Sequence, residues 1–283
     1  MIDHYIMGTS NRVSPEAPVP VVIPKEEYSI PGGAGNVAMN LRAMGANVSC
    51  LGTVGDDSWG ERLLSLLKNK GINIDGIEII KNHPTTLKQR IYSNGKQVAR
   101  LDIEKILDWS PEISDHNLDN YDACIVSDYN KGAANNIKLD IEILIIDPKK
   151  DDFSQYRNAN IITPNLNELQ RATKIELKND QSIVVACNDL IGKHNFDYIV
   201  AKKGDQGMTI VGQDNFVQHI KAHPIKNPDV TGAGDTVIAV LSAMYAKTKD
   251  IELASKIANT AAAIVVAKPG TATVTIDEIN SYI

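Results

Sequence analysis

An α/β fold is what this sequence predicts: a ribbon of mostly parallel strands in a doubly wound sheet, flanked by helices, with a small β-sheet lid. Three observations carry it. After Asp119 come short, wholly apolar runs bounded by polar or turn residues, "DACIVSDY", "EILIIDPK", "NIITPN" and "DYIVAKKG". Strands buried on both faces read this way, because neither face meets water. Helical segments fall between several of them, notably "QSIVVACNDLIGKH", and two long apolar helices, about Thr236 to Lys247 and Ile251 to Lys268, follow. The third observation is a contrast: "TTLKQRIYSNGKQVARLD", Thr85 to Asp102, alternates about an Asn94-Gly95 turn, as a hairpin with one exposed face does.

The remaining elements fit this frame. In "PGGAGNVAMNLRAMGANVSCLGTVG", Val37, Leu41 and Met44 recur at helical spacing, Gly45 supplies the stop, and Val48 to Val54 reads as a strand. "DSWGERLLSLLKNKGI" is an amphipathic helix ending at Gly71, its apolar stripe a core face. No repeat or low-complexity linker interrupts the chain, so one domain over residues 1–283 is expected. The lid is expected from about 5–28 and 78–102.

Composition narrows the class. With 283 residues, 43% hydrophobic and 23% charged, the chain can bury a real core as a soluble protein. A formal net charge of -6 gives no general attraction to nucleic acid or anionic membrane. No apolar run is long enough to span a bilayer, and "MIDHYIMGTSN" lacks the basic region and apolar core of a signal peptide. Cys50, Cys124 and Cys187 are widely spaced among apolar neighbours and read as thiols of a reducing compartment, so a cytoplasmic protein is expected. The six histidines show no metal-ligand spacing; His116, His194 and His219 read as surface residues. The acids of "DIEKILDWSPEISD" read as a solvated face.

In parallel α/β sheets ligands bind at the carboxyl ends of the strands. That places Ser127-Asp128, Asp147-Pro148-Lys149, Asn165 to Glu168 and Lys202 to Gly207 along one edge. A further stretch, "NPDVTGAGDTVIAVLSAM", runs from a glycine-rich turn straight into an apolar helix. Gly232-Ala233-Gly234 lets successive N–H groups converge, and the helix adds its unpaired first-turn donors and dipole. Together they would hold a phosphoryl group during transfer. Asp235, in the first turn, either caps the helix or takes a proton from an attacking hydroxyl.

Two more motifs have paired readings. In "PGGAGNVAMN", Gly32-Gly33 allows close approach of a ligand, and Asn36 and Asn40, one turn apart, suit sugar hydroxyls; alternatively this is a turn entering a helix. In "TPNLNEL", Asn165 and Glu168 either order waters around a nucleotide-bound magnesium ion or form a capping box. The Walker phosphate loop is absent, and neither "GGAGNV" nor "TGAGDTV" completes G-x-G-x-x-G.

These residues carry a family resemblance along essentially the whole chain. "PGGAGNVAMN", "NLNE" and "DVTGAGDT" resemble, in order, the N-terminal, magnesium and C-terminal signatures of the ribokinase (PfkB-type) carbohydrate kinases. "SNRVSPEAPVPVV", "SDYNKGA", "IDPK" and "TPNLNEL" further resemble the D-glycero-β-D-manno-heptose 7-phosphate kinases of ADP-heptose synthesis for lipopolysaccharide cores. The resemblance implies that Asp235 deprotonates the anomeric hydroxyl and that Gly232 to Gly234 form the anion hole. It implies sugar contacts from Asp3, Gly32, Gly33 and Asn36, and an ATP site on Asn165, Glu168, Lys202, Gly204, Gly207 and Asn259. It further implies Mg2+ on Asn165 and Glu168 through water and a monovalent cation such as K+ near Asp229 and Thr231. The lid sheet is also expected to pair two subunits into a homodimer.

A phosphorylated sugar needs a cationic clamp, for which Arg12, Lys88, Arg90, Lys131 and Lys149 are the candidates. The family normally opens with a buried strand and a Gly-Asp before the segment matching Met1-Ile2-Asp3, so a missing first core strand and an internal start at Met1 are expected. The rival readings are another sugar kinase of this family, acting on a ketohexose, a pentose or a keto-deoxy acid, and a non-catalytic sugar-phosphate binding protein.

Overall fold

The computed structural model describes residues 1–107, 109, 118–132, 139 and 141–282. His116 and most of the acidic run 108–115 lie outside the described residues. The chain folds as two units, Met1–Gly35 with Ser49–Lys105, and Asn36–Val48 with Ile106–Ile283.

The first unit holds β1 (Ile2–Thr9), β2 (Ile23–Pro31), β3 (Ser49–Gly55), α1 (Ser58–Asn69), β4 (Asn73–Ile80), β5 (Leu87–Ser93) and β6 (Lys96–Ile103). Its four-stranded sheet has the order β2-β1-β5-β6, with β1 parallel to β5 and the outer pairs antiparallel. The β5–β6 hairpin turns at Asn94-Gly95, both at positive φ, as its sequence predicts. β6 is exposed along its whole length. Of the segments expected to form the lid, residues 5–9, 23–28, 87–93 and 96–102 lie in this sheet, whereas 10–22 do not, and neither does Glu78. That residue lies in β4, which pairs in parallel with β3 through the α1 crossover rather than joining the hairpin. Asp57 starts α1: its carboxylate accepts from the Gly60 N–H, and its other oxygen from Thr85, both at 2.8 Å.

A helix written α2 (Ala34–Ala43) begins in the last two residues of the first unit's opening segment and continues into the second. The second unit then contains β7 (Cys124–Ser127), β8 (Leu144–Asp147), β9 (Ile161–Ile162), α3 (Leu166–Thr173), α4 (Asp180–His194), β10 (Tyr198–Lys202), β11 (Met208–Gly212), β12 (Val217–Ile220), α5 (Ala233–Thr248), α6 (Ile251–Val266) and α7 (Ile276–Tyr282). Its six-stranded sheet has the order β12-β11-β10-β9-β8-β7, parallel from β7 to β10 and antiparallel beyond.

The two-residue period of a strand explains the layers. Ile145, Ile161, Val200 and Ile210 pack on one face with α5 and α6; Leu144, Ile146, Ile162, Ile199 and Val211 pack on the other with Leu169, Ile183 and Leu190 of α3 and α4. Helices therefore cover both faces, as the apolar runs require. Among the thiols Cys187 is buried, while Cys50 and Cys124 are half-buried. His219 is exposed as expected; His194 is half-buried, its ring against Phe196. No helix among the described residues is long and apolar enough to cross a membrane.

Candidate functional site

The carboxyl ends of β7, β8 and β10 and the starts of α3 and α5 surround a cleft in the second unit. Asp128, Tyr129, Asp147, Lys149, Asn165, Glu168, Lys202, Gly232, Gly234 and Asp235 line it. Its volume, about 220 Å³, is below the usual range for a whole small-molecule ligand and suits a phosphoryl group with its waters.

α5 enters this cleft through Gly232, whose φ of 75° is costly for any residue with a side chain. A Cβ there would also stand 2.8 Å from the Asn36 amide nitrogen and 3.0 Å from Thr271. Glycine thus serves both the turn and the close approach of α2. No side chain caps α5, and Val237 to Ser242 behind the turn are buried. Its open end therefore points donors and a positive dipole into the cleft on a rigid support.

Asp235 is 8% exposed. Its Oδ2 accepts from the Asn36 amide at 2.9 Å, and its Oδ1 accepts from the Tyr129 hydroxyl at 2.5 Å. Burial pushes this carboxyl up to about 6, with Asp147 adding to the rise; the Tyr129 and Asn36 donors and the Lys202 charge oppose it. Tyr129 is itself pushed far above the ordinary tyrosine range by burial and by Asp235, so it stays a donor. A carboxylate that titrates near neutrality, beside an open helix start, can exchange a proton with a hydroxyl.

Across the cleft, Lys202 Nζ pairs with Asp147 Oδ1 at 2.5 Å, and the same oxygen accepts from the buried Thr163 hydroxyl at 2.9 Å. A Cβ on Gly234 would lie 3.6 Å from Lys202 Nζ, so the ammonium stands beside the α5 entrance. Lys149 Nζ meets Glu168 Oε1 at 3.1 Å. The capping box on α3 is formed: Asn165 Oδ1 accepts from the Glu168 N–H at 2.9 Å, and Glu168 Oε2 from the Asn165 N–H at 2.8 Å. The cap does not exhaust these groups, because each oxygen retains further acceptor capacity. The donor set is carboxylate and amide oxygen, which matches a hard cation such as magnesium.

The other expected site residues are not among those that line this cleft. Gly204 and Gly207 sit in the loop after β10 at φ 63° and 89°, and a Cβ on Gly207 would come within 2.0 Å of the Ile220 carbonyl. Asn259 gives its amide to the Lys221 carbonyl at 2.9 Å, fixing the segment after β12. Lys131 is half-buried after β7. In the first unit, Asp3 accepts from Arg90 at 2.8 Å, and Arg90 also stands over the Tyr5 ring. Gly32 admits the Asp3 carboxylate against the main chain, where a Cβ would be 2.5 Å from it. Gly33 takes φ 56°, Lys88 is the register partner of Asp3, and Arg12 is exposed. Asn40 is fully buried, its amide turned to Asn36, so of the two asparagines only Asn36 remains near the cleft chemistry. Tyr129 was legible only as the residue after the Ser127-Asp128 strand end, which hints at position and not at its bond to Asp235.

A doubly wound sheet with this cleft at its strand ends places the molecule in the ribokinase-like fold class. A ribokinase from Thermotoga maritima superposes with a TM-score of 0.78 at 19% identity, covering 99% of this chain and 95% of that one. Arabidopsis thaliana ribokinase, solved with ribose and ATP, gives 0.76 at 17%, covering 99% and 95%. Phosphofructokinase-2 from Escherichia coli, solved with potassium, gives 0.74 at 18%, covering 99% and 94%. The model of the pfkB family carbohydrate kinases matches residues 2–278, and the chain belongs to that family. Among its relatives are proteins named bifunctional protein HldE. Those of Coxiella burnetii and Campylobacter curvus are 40% and 39% identical over 99% and 100% of this chain. The chain spans 61% and 63% of their lengths.

Proposed function

We propose that this sugar kinase transfers the γ-phosphoryl group of ATP to the anomeric hydroxyl of D-glycero-β-D-manno-heptose 7-phosphate, giving the 1,7-bisphosphate for ADP-heptose synthesis. The observation that carries the transfer chemistry is Asp235, buried and near-neutral in its titration, at the uncapped start of α5. The heptose is supported by the lid segment Ser10 to Val22 and by likeness along the whole chain to the HldE relatives.

In this reading Asp235 accepts the hydroxyl proton as the sugar oxygen attacks phosphorus; the new O–P bond forms while the bond to the ADP oxygen breaks. The uncapped start of α5 at Gly232 to Gly234 would meet the charge that builds on the phosphoryl oxygens, with Lys202 beside it, although the Ala233 N–H is held by the Val230 carbonyl at 3.2 Å. Asn165 and Glu168 would hold, through water, the Mg2+ that accompanies ATP and neutralises phosphate charge. Lys202, Gly204, Gly207 and Asn259 would serve the nucleotide. Asp3, Gly32, Gly33 and Asn36 would hold the sugar, and Arg12, Lys88, Arg90, Lys131 and Lys149 supply the candidates for its 7-phosphate. Asp229, which accepts from the Thr231 and Gly270 N–H groups, marks the proposed monovalent-cation loop. The exposed β6, with Val98, Leu101 and Ile103, is the proposed homodimer surface.

The test is ATP turnover with magnesium against heptose 7-phosphate, ribose and fructose 6-phosphate, with Asp235→Asn alongside. Turnover with the heptose phosphate alone, lost in the variant, is the expected result. Preference for another sugar would move the substrate within the family; none from folded protein would indicate a binding protein.

A further inference from the structure

Behind Asp235 lies a line of buried polar side chains, of which the proposed reaction uses only Asn36. Asn36, Asn40 and Thr236 are 2%, 0% and 0% exposed. The Thr236 hydroxyl stands 3.2 Å from Asn40 Oδ1 and 3.3 Å from the Gly232 carbonyl, either of which can accept its proton. The Asn40 amide nitrogen donates to the Asn36 main-chain carbonyl at 3.0 Å and approaches Asn36 Oδ1 at 3.3 Å. The Asn36 amide nitrogen donates to Asp235 Oδ2.

The direction of this line has a physical cause. A main-chain carbonyl can only accept, so it holds the Asn40 nitrogen on the Asn36 side. Two amide nitrogens facing one another would both be donors, so Asn36 must turn its oxygen to Asn40 and its nitrogen to Asp235. An unrestrained Asn36 could flip when Asp235 is protonated and accept from it, stabilising the neutral acid. Asn40 opposes that flip.

We infer that Asn40, supported by Thr236, is a positioning residue that keeps Asn36 a donor to Asp235 in both protonation states. Asp235 is thereby biased toward the ionised form that acts as base. This rests on the reading of Asp235 as the base. The other groups around that carboxylate are Asp128 and Tyr129 after β7, Asp147 at the end of β8 and Lys149 after it, Glu168 on α3 and Lys202 on β10. None belongs to this line, so variants within it leave those charges in place.

The experiment is a carboxyl-carbon NMR titration of aspartate-labelled protein, with Asp235→Asn assigning the signal, on wild type, Asn40→Leu and Thr236→Val. The expected result is a rise in the Asp235 midpoint of about one pH unit in Asn40→Leu, and a smaller rise in Thr236→Val. Correspondingly, kcat/KM should fall about tenfold well below the midpoint and little at high pH. An unchanged midpoint in both folded variants overturns the inference. Should Asn40→Leu fail to fold, the nearly isosteric Thr236→Val decides alone, by the same criterion. Because the titration needs no substrate, a wild type inactive on every sugar would defeat the proposed function and leave this result readable.

Discussion

Two helices start at the cleft, and they start differently. α3 closes its own end: Asn165 and Glu168 satisfy one another's main-chain donors. α5 has no side-chain cap, and its entrance is three residues, Gly232 to Gly234, too small to cover it. Both ends carry the same backbone dipole, so the difference lies in what the side chains leave uncovered. A closed end stabilises the fold; an open one, backed by buried residues, is a place for a ligand's charge.

The sharpest way to break this contrast is at Asp235. Asp235→Asn should lower kcat by about 10²–10⁴-fold while the protein still melts cooperatively, since a general base is worth that much. Its effect on stability has the opposite sign. The folded-state titration, about 6, lies above the ordinary 3.8, so the wild-type carboxyl favours folding below pH 4. That contribution is lost as pH rises through about 6. Denaturant melts should therefore show Asp235→Asn gaining on wild type between about pH 4 and 6, and then holding its gain.

Next in size is the entrance. Gly232→Ala should cost about 1–3 kcal/mol and reduce turnover at least tenfold, because the new Cβ both strains the backbone and displaces Asn36. Paired thermal melts and kcat measurements check it. A third effect concerns acidity: kcat/KM of the wild type should fall as pH drops through about 6, where Asp235 gains its proton. An acid limb at the ordinary aspartate value would show that burial does not govern this group.

The smallest effect sharpens the comparison from the α3 side. Asn165→Ala should cost about 1 kcal/mol of stability through loss of the cap. Asn165→Ser, which can still cap, should restore the melt without restoring nucleotide KM. If Ser restores both, Asn165 is a cap and nothing more.

Much of this was legible in sequence. The strands β7, β8 and β10 are short apolar runs ended by Asp128, Asp147 and Lys202, and a parallel sheet must bring such ends to one edge. The glycines before Asp235 announced an open helix start. The partners of Asp235 were not legible, because Tyr129 and Asn36 are 106 and 199 residues away along the chain and no periodicity encodes such meetings. Asn40 was visible one turn from Asn36, yet spacing alone could not say that it faces inward and serves its neighbour. Glu78 misled for a local reason: the strand in which it lies, β4, is claimed by the β3–α1–β4 crossover.

The burial of α5 has a consequence for ionic conditions. Its first turn meets the cleft, but the two turns behind it, Val237 to Ser242, are buried among side chains that mobile ions cannot penetrate. Screening acts through ions that can gather around a charge, and here they can approach from one side only. Added salt should therefore weaken encounter with an anionic substrate more than it weakens the grip on a phosphoryl group already seated.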